Sequence, residues 1–94
     1  MVAYVIAQVE VVDDAGYEEY RQKIAGTIAA YGGRSIVRGG VTEVLEGQAP
    51  GQWVVLEFPS MERLKAWYAS PEYRPLRAVR ARTATSLLVA ADGV

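Results

Sequence analysis

The sequence predicts a single α+β domain whose strands and helices follow the order β-α-β-β-α-β. Its length of 94 residues indicates one domain. Near the N-terminus, side chains alternate with a period of two, which is typical of a strand, and in two later segments apolar side chains recur every three or four residues, which is typical of helices. Short segments rich in β-branched or aromatic residues supply the remaining strands.

The first strand and the first helix come from the N-terminal third of the chain. Residues 3–12 form the strand, and one of its sides carries Val5, Ala7, Val9 and Val11. Asp13 and Asp14 provide an N-cap for the helix. Its apolar stripe consists of Tyr17, Tyr20, Ile24, Ile28 and Tyr31. Gly32 and Gly33 end the helix, because glycine readily takes the positive φ of a C-terminal cap.

Two further strands follow, separated by a segment rich in turn residues. Residues 34–38 form the second strand. Gly39-Gly40 then suggests a bulge or a bend, after which residues 41–46 continue the strand or turn it. The sequence GQAPG at 47–51 is a loop, and residues 52–58 form the third strand.

The C-terminal third supplies a helix in two pieces and the last strand. Ser60 caps a helix that runs to about residue 69, and Ser70-Pro71 begins a new turn. A short helix at 75–81 and a strand at 86–91 complete the chain. This order is the split βαβ, or ferredoxin-like, arrangement, with one four-stranded antiparallel sheet and both helices on one face.

The opposite face of the sheet is too apolar for an ordinary solvated surface. Strict alternation assigns to it Tyr4, Ile6, Gln8 and Glu10 of the first strand, Arg34, Ile36 and Arg38 of the second, and Trp53, Val55 and Glu57 of the third. Such a mixture fits a covered surface or a pocket with an apolar lining and a few charges. Because a chain of this length has no second layer to spare, we expect a homodimer in which the same sheet of another copy covers this face.

Composition excludes several classes of function. The chain has neither histidine nor cysteine, which removes zinc, copper and haem sites built on those ligands within one chain. A net charge of −1 does not favour nucleic acid or an anionic membrane as a partner. The N-terminal segment MVAYVIAQVEVV lacks a basic region, and its apolar run is interrupted by Gln8 and Glu10, so that we expect a cytoplasmic protein. No cofactor is expected.

Several motifs together resemble one bacterial family. They are Tyr31-Gly-Gly-Arg34, Arg38-Gly-Gly40, Leu45-Glu-Gly47, Val55-Leu-Glu-Phe-Pro-Ser60, Trp67-Tyr-Ala-Ser-Pro-Glu-Tyr73 and Arg80. Over nearly its whole length, the chain resembles the family called domain of unknown function 1330, which belongs with the dimeric α+β barrels. The resemblance implies a ferredoxin-like subunit whose sheet packs on the sheet of a partner. That superfamily includes cofactor-free monooxygenases, isomerases, haem enzymes and ligand-sensing modules, but the family has no assigned reaction, and the catalytic histidines of several relatives have no counterpart here.

Charged and aromatic residues provide the candidate site. Arg34 and Arg38 are candidates for binding an organic anion, because guanidinium suits a carboxylate; alternatively they pair with Glu10, Glu57 or a glutamate of the partner. Glu57 is a candidate acid or base, with a structural ion pair as the alternative. Further candidates for lining the pocket are Trp53, Tyr68 and Tyr73, for the last two of which aromatic packing is the alternative.

Two other features favour a structural interpretation. The glycine pairs beside Arg34 and Arg38 lack the long Gly-rich run, the Lys-Ser/Thr and the following helix of a phosphate loop. Arg74, Arg77, Arg80 and Arg82 fit a solvated helix face, although Arg80, as part of the resemblance, could pair inward. The favoured hypothesis is therefore a small-molecule site for an organic anion inside the barrel, with a cofactor-independent enzyme as one form of it. The alternative is a non-enzymatic homodimeric binding or structural module.

Overall fold

One four-stranded sheet carries all three helices on a single face. The computed structural model describes residues 1–94. The elements are, in order, β1 (Ala3–Val11), α1 (Asp14–Ala30), β2 (Arg34–Arg38), β3 (Gln52–Phe58), α2 (Met61–Tyr68), α3 (Arg74–Thr83) and β4 (Ala84–Asp92). The strands lie in the order β2-β3-β1-β4, and every neighbouring pair is antiparallel. The predicted ferredoxin-like α+β fold is confirmed.

The predicted caps delimit the helices. The Asp13 side chain accepts a hydrogen bond from the Gly16 N–H at 3.1 Å, which satisfies a free donor of the first turn of α1. The helix gives way to Gly32, whose φ of 78° is strained for any residue with a Cβ. Ser60 accepts from the Arg63 N–H at 3.2 Å at the start of α2. The predicted stripe of α1 faces the sheet, with Tyr17 and Ile28 buried.

The start of β4 and the structure of residues 41–46 differ from the prediction. β4 begins at Ala84, directly after α3, because the Thr83 carbonyl accepts hydrogen bonds from the N–H groups of Val12 and Asp13 and so brings Ala84 opposite Val11. Residues 41–46 form no strand, since no neighbouring strand pairs with them. None of the three helices has the length and apolar character needed to cross a lipid bilayer.

A β-bulge changes the direction of side chains midway along β2. Arg34 lies opposite Glu57 and Ser35 opposite Leu56, but the next pair along the ladder is Val37 with Val55. Ile36 is the extra residue, so the parity of β2 reverses after it. The bulge therefore lies within the strand, before the predicted position at Gly39-Gly40.

The hydrophobic core fills the space between the sheet and the helices. Its largest fully buried side chains are Phe58, Trp67 and Tyr73. The rings of Trp67 and Tyr73 stack with centroids 4.1 Å apart, and those of Phe58 and Trp67 lie 5.3 Å apart. Such aromatic contacts add to the stabilisation that burial alone provides.

Ser70 connects the end of α2 to the start of α3. Its buried hydroxyl donates to the Trp67 carbonyl at 2.7 Å and accepts from the Tyr73 N–H at 3.1 Å. Both backbone groups belong to the residues that form the aromatic stack, so this hydroxyl holds the two rings in register.

The substitution Ser70→Ala should lower the free energy of unfolding by about 1–2 kcal/mol, because it leaves the buried Tyr73 N–H without a partner, while the Trp67 carbonyl keeps its hydrogen bond from the Ser70 N–H. Urea unfolding followed by circular dichroism measures the effect. Thr42→Ala, which removes a hydroxyl from an exposed residue without a hydrogen bond, is the matched control. Equal stabilities of the two variants would contradict this role for Ser70.

Candidate functional site

A mostly apolar cavity lies between α1 and the sheet. Its volume is about 270 Å³, and 11 of its 15 lining residues are hydrophobic. The sheet contributes Val5, Ala7, Val54, Leu56 and Leu88, and α1 contributes Tyr17, Tyr20, Ile24 and Ile28. This volume is just below the roughly 300–1,000 Å³ of typical ligand pockets, so it suits a small molecule with an apolar body.

The exposed lining residues mark the mouth of the cavity and make it polar. Arg21 and Ala25 come from α1, and Arg38 and Gln52 come from the adjoining ends of β2 and β3. Arg38 reaches this side because the bulge at Ile36 places it opposite Val54, which itself lines the cavity. The predicted position of Arg38 on the other face of the sheet, beside Arg34, is therefore wrong.

The two arginines at the mouth differ in their partners. Arg21 bonds the Asp14 carboxylate at 2.7 Å and the Glu18 carboxylate at 3.3 Å. The hydrogen bond to Asp14 raises the pKa of Arg21 above its ordinary value, so its charge is already engaged. Arg38 forms neither an ion pair nor a side-chain hydrogen bond, and its guanidinium is free to bind an anion.

A tyrosine pair borders the inner part of the cavity. The hydroxyl oxygens of Tyr20 and Tyr73 lie 2.7 Å apart, and Tyr20 also stacks on Tyr17 with centroids 5.0 Å apart. Burial is the main cause that raises the pKa of Tyr20 far above its ordinary value of 10.0, and the neighbouring Tyr73 adds to the rise. Burial also raises the pKa of Tyr73, while the hydrogen bond with Tyr20 and the charge of Arg80 oppose it. Both phenols therefore stay neutral at physiological pH.

Arg80 lies beside these tyrosines without a carboxylate partner. Its Nη1 donates to Ser86 Oγ on β4 at 2.7 Å. Its Nε is buried and has no hydrogen-bond partner, which is unusual for a charged group. The groups that surround Arg80 are phenols and a hydroxyl, and none of them is a carboxylate that would neutralise its charge.

The structure does not bring the six predicted site residues into one site. Arg34, Trp53 and Glu57 lie on the open face of the sheet, that is, the face without helices, while Arg38 lies at the cavity mouth. Arg34 Nε donates to Glu57 Oε1 at 2.9 Å, directly across the strand pair. Of the alternatives for Arg34, this geometry is that of internal pairing.

The two remaining tyrosines have different surroundings. Tyr73 is completely buried within the aromatic core. Tyr68 is 37% exposed on α2, and the Arg77 guanidinium lies over its ring at 4.2 Å from the centroid. That stacking is a cation–π contact at the protein surface. Neither residue lines the cavity.

The open face carries a row of exposed apolar side chains. On β4, Leu87 is 58% exposed and Val89 47% exposed, and on β2 Ile36 and Val37 are 43% and 39% exposed. Leu87 and Val89 pair with Gln8 and Ile6 of β1, and Gln8 also pairs with Trp53 of β3. Because paired residues of neighbouring strands point to the same face of a sheet, Leu87 and Val89 share the open face with Trp53. An exposed apolar surface that extends across the sheet marks a place where another surface packs.

Sequence reasoning missed most of the cavity lining. The sequence places Tyr20 in the helix stripe and Ser35 and Gln52 in strands, with no indication that they line a cavity. A signal was nevertheless present: Ala7 and Ser35 are small residues on the helix-facing side of the sheet, and opposite long side chains of α1 they leave space unfilled. No three acidic side chains converge as a metal-binding group.

Comparison with known proteins identifies the family. The family described as "Domain of unknown function (DUF1330)" matches residues 2–94, and the chain belongs to it. The curated proteins contain no sequence that matches. Among solved structures, the protein of unknown function RPA0582 from Rhodopseudomonas palustris has a TM-score of 0.77 at 18% identity and is aligned over 99% of this chain and 82% of its own.

Two further structures share the fold. A dimeric ferredoxin-like protein of unknown function from Jannaschia sp. CCS1 has a TM-score of 0.75 at 13% identity, over 99% of this chain and 100% of its own. SnoaB, a cofactor-independent oxygenase from Streptomyces nogalater, has a TM-score of 0.64 at 14% identity, over 99% of this chain and 93% of its own. At these identities the likeness establishes the fold alone.

The raised pKa of Tyr20 predicts an alkaline loss of stability that Tyr20→Phe reduces. In the unfolded chain this phenol ionises near its ordinary value of 10.0, whereas in the folded protein it stays protonated. The contribution of this phenol to the free energy of unfolding is thus complete below pH 10. Above pH 10 it falls by about 1.4 kcal/mol per pH unit. Urea unfolding between about pH 8 and pH 11 measures the slope. Parallel curves for the wild type and the variant would contradict the burial of this phenol.

Proposed function

We propose that this member of the DUF1330 family binds a small organic anion in the cavity between α1 and the sheet. The observation that carries the proposal is Arg38, an arginine without an ion pair at the mouth of an apolar cavity. Pockets of this kind combine an apolar lining, which binds the body of a ligand, with a few polar groups that orient it. Arg38 binds the carboxylate, and Gln52 beside it offers an amide for a further hydrogen bond.

The location of this site is the main revision of the hypothesis drawn from the sequence. That hypothesis puts the ligand between two sheets, whereas the cavity is on the helix side of one sheet. Ligand-binding roles for Arg34, Trp53, Tyr68 and Tyr73 and a catalytic role for Glu57 stay predictions. The ion pair between Arg34 and Glu57 supports a structural role for both, because it occupies the charges that a ligand would need.

A cofactor-independent enzyme is the more specific form of the proposal. SnoaB, which has the same fold, is described as a cofactor-independent oxygenase, and the cavity here has a mostly hydrophobic lining in which a small organic substrate could bind. Among the lining residues, Tyr17, Tyr20 and Ser35 carry hydroxyl groups that can exchange hydrogen bonds with a ligand. The rival is a binding module without catalysis, which needs the same cavity but no chemical step.

We also propose that the chain is a homodimer through the open face of the sheet. Its exposed Leu87, Val89, Ile36 and Val37 support this, as does the similar protein from Jannaschia sp. CCS1, which is described as dimeric. Two copies of this face would bury apolar surface, and the Arg34–Glu57 pair enters the interface with its charges already matched. The predicted cytoplasmic location stays a prediction.

Arg38→Gln should weaken the binding of carboxylate ligands while Arg34→Gln should not. A charged hydrogen bond contributes about 1.5–3 kcal/mol, so we expect roughly tenfold or greater loss of affinity for 4-phenylbutyrate, an aryl acid with an apolar body. Isothermal titration calorimetry provides the dissociation constants. The control is well matched, since both arginines lie in β2, on opposite faces of the sheet. Equal losses in the two variants, or a loss with Arg34→Gln alone, would refute the proposed site.

Leu87→Asp should convert the dimer into a monomer, because a carboxylate within the proposed apolar interface loses its hydration without gaining a partner. Sedimentation velocity gives the mass in solution. Val12→Asp serves as the control, since Val12 is 69% exposed at the end of β1, outside the sheet face. If the Leu87 variant remains a dimer, or if the wild type is a monomer, the open face is not the interface.

A further inference from the structure

The hydrogen bond between Tyr20 and Tyr73 can use only one of the two hydroxyl protons. The Tyr20 hydroxyl has that of Tyr73 as its sole hydrogen-bond partner in the protein, and the Tyr73 hydroxyl is in addition acted on by Arg80, which can only donate. One phenol therefore donates to its neighbour, and the proton of the neighbour must be directed elsewhere. Which phenol keeps a free proton depends on the surroundings of each.

The surroundings favour Tyr73 as the donor. Tyr73 is completely buried, and the charged group that acts on its hydroxyl is Arg80, which has donors only. If Tyr20 donated, the proton of Tyr73 would have no acceptor, and an unsatisfied buried donor is costly. If Tyr73 donates, the free proton belongs to Tyr20, which lines the cavity, where a ligand or water can accept it.

We infer that the Tyr20 hydroxyl is a hydrogen-bond donor to the ligand, and that the ligand is an oxo acid, which has a carbonyl oxygen in addition to its carboxylate. Arg38 binds the carboxylate at the mouth, and Tyr20 donates to the carbonyl oxygen within the cavity. This inference rests on the proposed function, because it specifies the chemical class of the anion that the same cavity takes.

Arg80 strengthens this hydrogen bond through Tyr73. Its positive charge acts on Tyr73, the phenol that donates to Tyr20, and hydrogen bonds in a chain polarise one another in a medium of low dielectric constant. Arg80 has no carboxylate to neutralise it, and its hydrogen bond to Ser86 fixes it against β4. Arg80 and Tyr73 are thus positioning residues, and Tyr20 is the residue that contacts the ligand.

A matched pair of probes tests the inference. 3-Benzoylpropionate and 4-phenylbutyrate have the same skeleton and carboxylate and differ in one group, a ketone in the first and a methylene in the second. The wild type should bind the ketone roughly fivefold more tightly, and Tyr20→Phe should make the two affinities equal. Tyr31→Phe is the control, since Tyr31 is on the same helix stripe but bonds Glu72 outside the cavity. It should keep the preference for the ketone.

The outcomes separate this inference from the proposed function. If neither probe binds the wild type, the proposed function fails, and the inference fails with it. If both probes bind equally well, or if Tyr20→Phe keeps the preference for the ketone, the function stands and the role of Tyr20 is overturned. Should Tyr20→Phe not fold, the infrared carbonyl frequency of the bound ketone decides: a frequency lower than in an apolar solvent supports a donor, and an unchanged frequency refutes it.

Discussion

The bulge at Ile36 sends the two arginines of β2 to opposite faces of the sheet. Before the bulge, Arg34 meets Glu57 across the strand pair and its charge is matched there. After it, Arg38 lies on the helix side, where no carboxylate meets it. A regular strand would have put both guanidinium groups on the open face and left the cavity mouth without a free cation. One extra residue thus separates the surface suited to a second copy from the cavity suited to an anion.

The cavity and the aromatic core are parts of one structure. Trp67 contributes to the cavity lining and stacks on Tyr73, whose hydroxyl meets that of Tyr20 on α1. Ser70 holds the backbone of both stacked residues, so the position of the Tyr20 hydroxyl depends on the turn between α2 and α3. This buried polar chain ends at Arg80, a cation that no carboxylate neutralises. This chain orients the Tyr20 hydroxyl but does not by itself stabilise the fold, because burial of an unpaired charge is costly.

Local chemistry made most of the fold predictable. Period-two and period-3.6 patterns, the Asp13 and Ser60 caps and Gly32 all correspond to features of the structure. The site was less predictable, because the face that a side chain takes depends on strand register. Arg38 was assigned by strict alternation, and a bulge inside β2 has no obligatory sequence signature. The cavity itself arises from the sizes of Ala7 and Ser35 opposite α1, a three-dimensional property that no single segment encodes.

We expect an organic anion to bind on the helix side of the sheet and to be held there by Arg38. A crystal structure with 4-(4-bromophenyl)butyrate tests it directly, because the anomalous signal of bromine locates the ligand without reference to any assumption about the site. We expect a bromine peak inside the cavity between α1 and the sheet, with the carboxylate at Arg38. A peak on the open face, beside Trp53 or between two sheets, would contradict it.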